Sequence, residues 1–287
     1  MKSRLFWALT VVFCLISLPA FAAAPTAAGQ PKPTLLLVHP ADSGQWYGPE
    51  ELPKMTGPNV YEKWFEAVGV TITRVTTEDE LNAAWQARSR YNILTFAYHA
   101  WQGSRWLRMW AAKHKAEIVD YVAGGGAIVT NVGRDGQEII LAKMFGLDKN
   151  LAIDALGGME PLFNFQEHEK AIGAGILGEC DLAPGTPFSV GLPKTLGPKG
   201  IGGDPNFVFS IYSGALPDWV KYTAGTVTDD SGDVCPVIIA GAYQKGRLVF
   251  GTPSFYQPEN LAVKDGKALN AEFLRFWQNC VGYAVSR

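Results

Sequence analysis

Residues 121–130 have the sequence Tyr-Val-Ala-Gly-Gly-Gly-Ala-Ile-Val-Thr, and this stretch decides the expected fold. It holds the end of an amphipathic helix, whose apolar side chains recur from Leu107 to Val122. Three glycines then favour helix termination, and Ala127–Thr130 has the apolar character of a buried strand. A second apolar run, Asn92–Tyr98, precedes the helix. Strand, helix and strand at this spacing predict a parallel pair with a right-handed crossover.

The same alternation extends toward the amino end of the chain. Thr34–His39 is almost entirely apolar, helical spacing follows at Val60–Val68, and Val70–Val75 is β-branched and alternating. Glu78–Ala87 predicts a further helix, with Thr77 as its N-cap. We therefore expect an α/β, flavodoxin-like fold: a mixed, mainly parallel sheet with helices on both faces. The expected strand order in this half is near 3-2-1-4.

The second half of the chain is less regular. Glu138–Phe145 has helical spacing, and residues 183–205 hold five prolines and six glycines, which predicts an irregular insertion. A turn at Tyr243–Arg247 predicts an antiparallel pair, and Ala268–Tyr283 predicts a closing helix. The strands expected here are Phe207–Tyr212, Trp219–Thr226, Val237–Tyr243 and Leu248–Gly251.

The composition is that of a compact, mildly acidic protein. Of 287 residues, 47% are hydrophobic and 18% are charged, which excludes a disordered or coiled-coil chain. The net charge of −2 argues against a nucleic-acid partner, because such proteins need a basic surface. The length from residue 34 to residue 287 suits one large domain.

The first 22 residues have the features of an export signal. Lys2 and Arg4 precede the apolar run Leu5–Leu18, and Ala20-Phe21-Ala22 supplies a small-x-small cleavage pattern. We expect the mature chain to begin near Ala23, with residues 23–33 as a flexible lead-in. The predicted location is periplasmic or extracellular, with no membrane span after the signal is removed.

Three cysteines follow the predicted signal: Cys180, Cys235 and Cys280. At most one intramolecular disulfide can form among them, and the spacing does not decide which. The alternative is that they are buried free thiols, which behave as small hydrophobes. No zinc-binding spacing is present.

Two further patterns could indicate a cofactor site or a metal site. Gly173–Gly178 matches Gly-x-Gly-x-x-Gly, but polar residues precede it and Pro184 follows closely, so the strand and helix of a dinucleotide site are missing. His114 and Glu117 lie three residues apart on the long helix, where a solvated polar face is the simpler interpretation. We therefore predict no cofactor and no metal.

A ligand site is expected beyond the carboxyl ends of the parallel strands, where open α/β sheets bind their ligands. The polar residues that follow the predicted strands there are His39, Asp42, Tyr98, His99, Asn131, Arg134, Asp135 and Ser254. Aromatic residues in the adjoining loops suit stacking on sugar rings, or equally packing on the core. These aromatic residues are Trp46, Tyr47, Trp101, Trp106 and Tyr256.

Two segments resemble a known superfamily, the class I glutamine amidotransferase-like proteins, and within it the ThuA-like (trehalose-utilisation) branch. Tyr121–Val129, which reads Tyr-Val-Ala-Gly-Gly-Gly-Ala-Ile-Val, is similar to the family pattern of Tyr-Val, three glycines and Ile-Val, and Gly246–Val249 is similar to Gly-Arg-Val-Val. A terminal helix follows, as in the family. The resemblance spans residues 34–283 and implies a fold.

The resemblance also implies where amidotransferases carry their catalytic groups. Their cysteine follows the strand that ends here at Thr130, where this chain has Asn131-Val132-Gly133. Their His-x-Glu pair follows the strand that ends here at Gly251, where this chain has Thr252-Pro253-Ser254. Because the nucleophile and the base are both absent, glutamine hydrolysis is excluded.

Two functions remain open at this point. The first is an exported, non-amidotransferase ligand-binding or assembly module. The alternative is a ThuA-like protein that binds or processes a small carbohydrate in the cell envelope. Hydrolysis of a glycoside would need two carboxylates, for which Asp42 and Asp135 are the candidates at strand ends. Whether the protein is an enzyme is left undecided.

Overall fold

The computed structural model describes residues 31–43, 49–97, 100–131, 139–147, 180–196, 216–228, 234–251, 263–265, 267–268 and 270–286. Its strands are β1 (Thr34–Val38), β2 (Thr71–Val75), β3 (Ile93–Phe96), β4 (Ala127–Asn131), β5 (Cys180–Leu182), β6 (Thr195–Leu196), β7 (Val220–Thr228), β8 (Val234–Tyr243), β9 (Gly246–Gly251), β10 (Val263–Lys264) and β11 (Lys267–Ala268). Its helices are α1 (Glu51–Thr56), α2 (Val60–Val68), α3 (Glu78–Gln86), α4 (Ala100–Gly103), α5 (Arg105–Lys113), α6 (Lys115–Ala123), α7 (Ile139–Met144) and α8 (Ala271–Val285).

The main sheet has nine strands in the order β2-β1-β3-β4-β9-β8-β7-β5-β6. The five strands from β2 to β9 are mutually parallel, and β8, β7, β5 and β6 continue the sheet in antiparallel pairs. The predicted turn after Tyr243 joins β8 to β9 as an antiparallel hairpin. The α/β fold with a mixed sheet, flavodoxin-like in its parallel part, is confirmed.

The predicted strand order near 3-2-1-4 is wrong, because the first four strands lie in the order 2-1-3-4. The burial pattern supplies the physical reason. β1 and β3 are buried on both faces, as central strands must be, whereas β2 alternates polar residues and leaves Thr71 exposed at the sheet edge. The chain therefore returns past β1 after β2, and β3 pairs with the free side of β1.

The core lies between this sheet and two helical layers. Seven apolar residues of β1, β3 and β4 are at most 1% exposed: Leu36, Val38, Ile93, Leu94, Phe96, Ile128 and Val129. α2 packs against α8, and α3, α6 and α7 gather around α5. Right-handed crossovers that leave β1 and β2 in opposite directions place α2 and α3 on opposite faces.

One sequence prediction about the helices is confirmed, and another is wrong. Thr77 caps α3 as expected: its hydroxyl accepts from the Glu80 amide, and the Glu80 carboxylate accepts from the Thr77 amide, which is a capping box. The long helix predicted through Val122 is instead two helices, α5 and α6, which meet at His114.

The irregular insertion predicted near 183–205 is structured where it is described. It follows β5, contains a 3₁₀ turn at Pro187–Ser189, and ends in the two-residue strand β6. Residues 197–205 and the strand predicted at Phe207–Tyr212 lie outside the described residues.

Candidate functional site

The strand order places a topological switch point between β1 and β3. From β1 the chain crosses to β2 on one side, and it later returns to β3 on the other side. Val38 and Phe96 are partners at the carboxyl ends of the two strands, and the Ala97 amide donates to the Val38 carbonyl at 2.9 Å. The segments that leave these strands therefore diverge from one point, which is where such sheets form a ligand crevice.

An aspartate and a tryptophan meet at this edge. The turn after β1 carries Asp42, and its Oδ1 accepts a hydrogen bond of 3.1 Å from Nε1 of the half-buried Trp106. Ser104 fixes the tryptophan, because its buried hydroxyl caps α5 by accepting from the Leu107 amide at 3.3 Å. A carboxylate beside an indole face offers a hydrogen-bond acceptor and an apolar platform together.

Two buried polar groups lie in the same region. The Ser43 hydroxyl follows Asp42 directly, and the Trp101 indole N–H belongs to α4, just beyond β3. Neither has a hydrogen-bond partner among the described residues. Both atoms are closed to solvent, so they lie beneath this edge and are not contacts offered to a ligand at its surface.

His39, predicted as a site residue, directly follows β1 but is fully buried. Its amide donates to the Val75 carbonyl at 2.8 Å, and its ring meets the Tyr61 ring edge-on, with centroids 5.1 Å apart. Burial also raises the pKa of Tyr61, so that phenol is neutral. The packing of His39 places it beneath the edge.

Two other groups near this edge have structural roles. Trp101 is 1% exposed and packs on Phe96 with ring centroids 4.6 Å apart, so its ring is a core anchor. The pKa of Glu80 lies below its usual value, chiefly because the Thr76 amide donates to its carboxylate. Glu80 is therefore ionised and occupied by the α3 cap, and it is not a proton donor.

The other predicted site residues are described only in part. Asn131 ends β4 and pairs with Gly251, the last residue of the parallel neighbour β9. Nothing is described of the Asn131 side chain. Tyr98, His99, Arg134, Asp135 and Ser254 lie outside the described residues, as do the loop aromatics Trp46, Tyr47 and Tyr256.

The described thiols are not nucleophiles. Cys180 and Cys280 are both buried and unpaired, as the free-thiol alternative predicts. Burial raises the pKa of Cys180 to about 12 and raises the pKa of Cys280 well above its usual value. Both remain protonated at neutral pH and are unreactive.

Sequence analysis missed a polar network at the junction of α5 and α6. The Glu117 carboxylate accepts from His114 Nδ1 at 2.9 Å and from Trp85 Nε1 at 3.1 Å, and it lies 3.4 Å from the Arg88 guanidinium. The His114 side chain is 16% exposed and stacks on Trp110. The expected solvated face is thus a half-buried hydrogen-bonded cluster. Its partners are distant in sequence, so spacing could not reveal it.

The described part of the chain has neither a cluster of metal ligands nor a membrane-spanning helix. No group of three or more histidine, cysteine, aspartate or glutamate side chains within it has an arrangement suited to a metal ion. Within the same residues, no helix has the length and apolar character needed to span a bilayer.

Comparison with known proteins places the fold. No family model matches the sequence, and no curated protein matches it. Among solved structures, the chain is similar to a ThuA-like protein from Parabacteroides merdae, with 13% identity over 90% of this chain and 91% of that one, and a TM-score of 0.52. The chain therefore has a ThuA-like fold.

Two other solved structures are less similar to this chain. A cytoplasmic protein of Salmonella typhimurium is 12% identical over 89% of this chain and all of that one, with a TM-score of 0.46. A β-galactosidase from Bacillus circulans is 12% identical over 87% of this chain but 30% of its own, with a TM-score of 0.42. These two likenesses are too weak to inform function.

Proposed function

We propose that this protein binds a small carbohydrate at the carboxyl ends of β1 and β3 and does not hydrolyse glutamine. The observation that carries the proposal is the contact between the Asp42 carboxylate and the half-buried Trp106 indole, at the switch point of the sheet. A sugar has hydroxyls that can donate to the Asp42 carboxylate, and it has apolar C–H faces for the Trp106 ring.

The ThuA-like fold supports this proposal, and the residues of the chain bear on the chemistry. The described cysteines are buried and protonated, so neither supplies the thiolate that an amidotransferase needs. Asn131 stands at the end of β4. The proposed site also includes five residues that come in sequence shortly after β3, β4 or β9, whose carboxyl ends lie at this edge. These residues are Tyr98, His99, Arg134, Asp135 and Ser254.

Calorimetric titration with trehalose and a panel of mono- and disaccharides tests the proposal. At least one sugar should bind, and Trp106→Ala should weaken it about tenfold or more, which corresponds to about 1.4 kcal/mol. Trp219→Ala is the matched control: Trp219 is also half-buried, and its Nε1 also donates to oxygen, here the Phe145 carbonyl at 2.8 Å. This control should bind the sugar like the wild type.

The same titration separates binding from turnover. Analysis of the sugar after incubation should show it unchanged for a binding protein, whereas cleavage products would establish a hydrolase. If no sugar binds, or if Trp106→Ala binds as tightly as the wild type, the proposed site is refuted.

We also propose that the protein acts outside the cytoplasm, in the periplasm or the extracellular space. The support is the amino-terminal sequence: two basic residues, an apolar run and the small-x-small pattern that ends at Ala22.

A further inference from the structure

A concave surface lies at the opposite edge of the sheet, away from the proposed sugar site. Segments around the amino ends of β3, β4 and β9 enclose a broad depression of about 1000 Å³. Its walls come from the Tyr91–Asn92 segment, the Gly124–Gly126 turn after α6, the β8–β9 hairpin turn and the end of α8. Four segments distant in sequence thus meet there, the first of them running from the end of α3 to Asn92. Small-molecule sites fall in this range of volumes.

The charges in this depression do not balance. Three cations line it, Arg88, Lys245 and Arg247, against one carboxylate, Asp120. Arg88 is neutralised by Glu117 at 3.4 Å. Within the described part of the chain, no carboxylate lies within ion-pair distance of Lys245 or Arg247. The chain as a whole has a net charge of −2, so this local excess of positive charge runs against its composition.

Lys245 and Arg247, which have no carboxylate partner among the described residues, lie at fixed positions of the backbone. Lys245 occupies the tight turn between β8 and β9, next to Gln244, whose φ is +53°. Arg247 lies in β9, where its Nη1 donates to the Gly246 carbonyl at 3.0 Å and its guanidinium lies 5.9 Å from the Tyr283 ring centroid. Both positions therefore belong to the sheet framework.

The glycine turn shapes the floor of the depression without binding a ligand itself. The amides of Gly124, Gly125 and Gly126 already donate to the carbonyls of Asp120, Val122 and Tyr121, at 2.8 to 2.9 Å. They are not available as the anion-binding amides of a phosphate loop. Recognition at this surface therefore falls on the lysine and arginine side chains.

From these observations we infer that the amino-edge depression is a second binding site, for a small molecule bearing phosphate or carboxylate groups. A concave surface concentrates the field of its cations, and Arg and Lys are the side chains that bind such oxyanions. Asp120 opposes the anion and tunes its affinity. The site is independent of the proposed sugar site.

Titration with pyrophosphate and with citrate, at an ionic strength of about 0.1 M where the Debye length is about 10 Å, tests this inference. Whichever anion binds identifies the head group as phosphoryl or carboxylate. Lys245→Glu should weaken binding about tenfold or more. Lys113→Glu makes the same charge change at an exposed position outside the depression, and it should leave affinity within about twofold.

Asp120→Asn is the more decisive variant, because it is expected to raise the affinity for the anion and misfolding cannot do so. Asp120→Asn removes the one acidic side chain among the described residues that line the depression, and it should tighten binding several-fold. The inference is overturned if neither anion binds, if Lys113→Glu weakens binding as much as Lys245→Glu, or if Asp120→Asn leaves affinity unchanged. Sugar binding should be the same in Lys245→Glu and the wild type, so the two proposed sites can fail separately.

Discussion

Substitution of Gly246 by alanine should destabilise the protein through one steric conflict. Gly246 opens β9 and lies against the end of α6 and the glycine turn. A Cβ atom added there would lie 2.1 Å from the Val122 carbonyl oxygen and 2.2 Å from the Gly126 carbonyl oxygen. The backbone of Gly246 does not require glycine for its φ, so the steric effect is isolated.

The size of the effect follows from what must move. Ordinary van der Waals contact begins at 3.4 Å, so each carbonyl would have to retreat by more than 1 Å. Both obstacles are backbone atoms at the junction of α6, β4 and β9, where no side chain can rotate away. Overpacking in cores costs about 1–3 kcal/mol, and we expect the upper end here. For a protein of this size, that lowers Tm by about 6–12 °C.

Gly282→Ala is the matched control, with an expected effect of opposite sign. Gly282 is exposed within α8, and an added Cβ would meet no atom within 4 Å. Alanine in a helix is favoured over glycine by about 0.5–1 kcal/mol, so this variant should gain stability. Thermal and urea unfolding followed by circular dichroism measure both variants. A Gly246→Ala protein as stable as the wild type, or a shift of the same sign in both, would refute the reasoning.

Three further predictions concern titration, thiol reactivity and processing. The hydrogen bond from His114 is the largest cause that lowers the pKa of Glu117 in the folded protein. The ionised carboxylate therefore stabilises the fold fully above pH 4.5, and this stabilisation is lost as pH falls through the lowered pKa of the folded state. Because this carboxylate is 42% exposed, Glu117→Gln should cost less than about 1 kcal/mol at pH 7 and nothing near pH 2; an equal cost at both would contradict the assignment. Cys180 and Cys280 should resist a thiol reagent in the native protein and react after denaturation, as mass mapping of labelled peptides would show; native labelling at either site would disprove their burial. The intact mass of protein from its native host should correspond to a start near Ala23, and recovery of the full-length chain from the cytosol would contradict export.

The candidate site shows how far strand-end reasoning extends. Sequence patterns located Asp42 and Trp106 at a carboxyl edge, and the structure brings these two together. They also selected His39, but a residue at a strand end can point into the core, and His39 is buried. That the Ser43 hydroxyl and the Trp101 indole N–H have no hydrogen-bond partner among the described residues was not predicted, because such a lack is defined only once every neighbour is in place.

Local physics explains what the sequence determined by itself. The apolar runs at β1 and β3, the capping box at Thr77 and the hairpin after Tyr243 each depend on residues within a few positions of one another. Their periodicity and turn chemistry therefore specify helices, strands and the mixed α/β class.

Tertiary structure alone decided how these elements are arranged. Right-handed crossovers are compatible with either side of β1, so the position of β3 depended on which strands could be buried on both faces. Glu117 meets Trp85 across 32 residues. The cations of the amino-edge depression come together because β9 lies beside β4, more than 100 residues apart in the chain. Such contacts depend on packing between distant segments, and no local pattern encodes it.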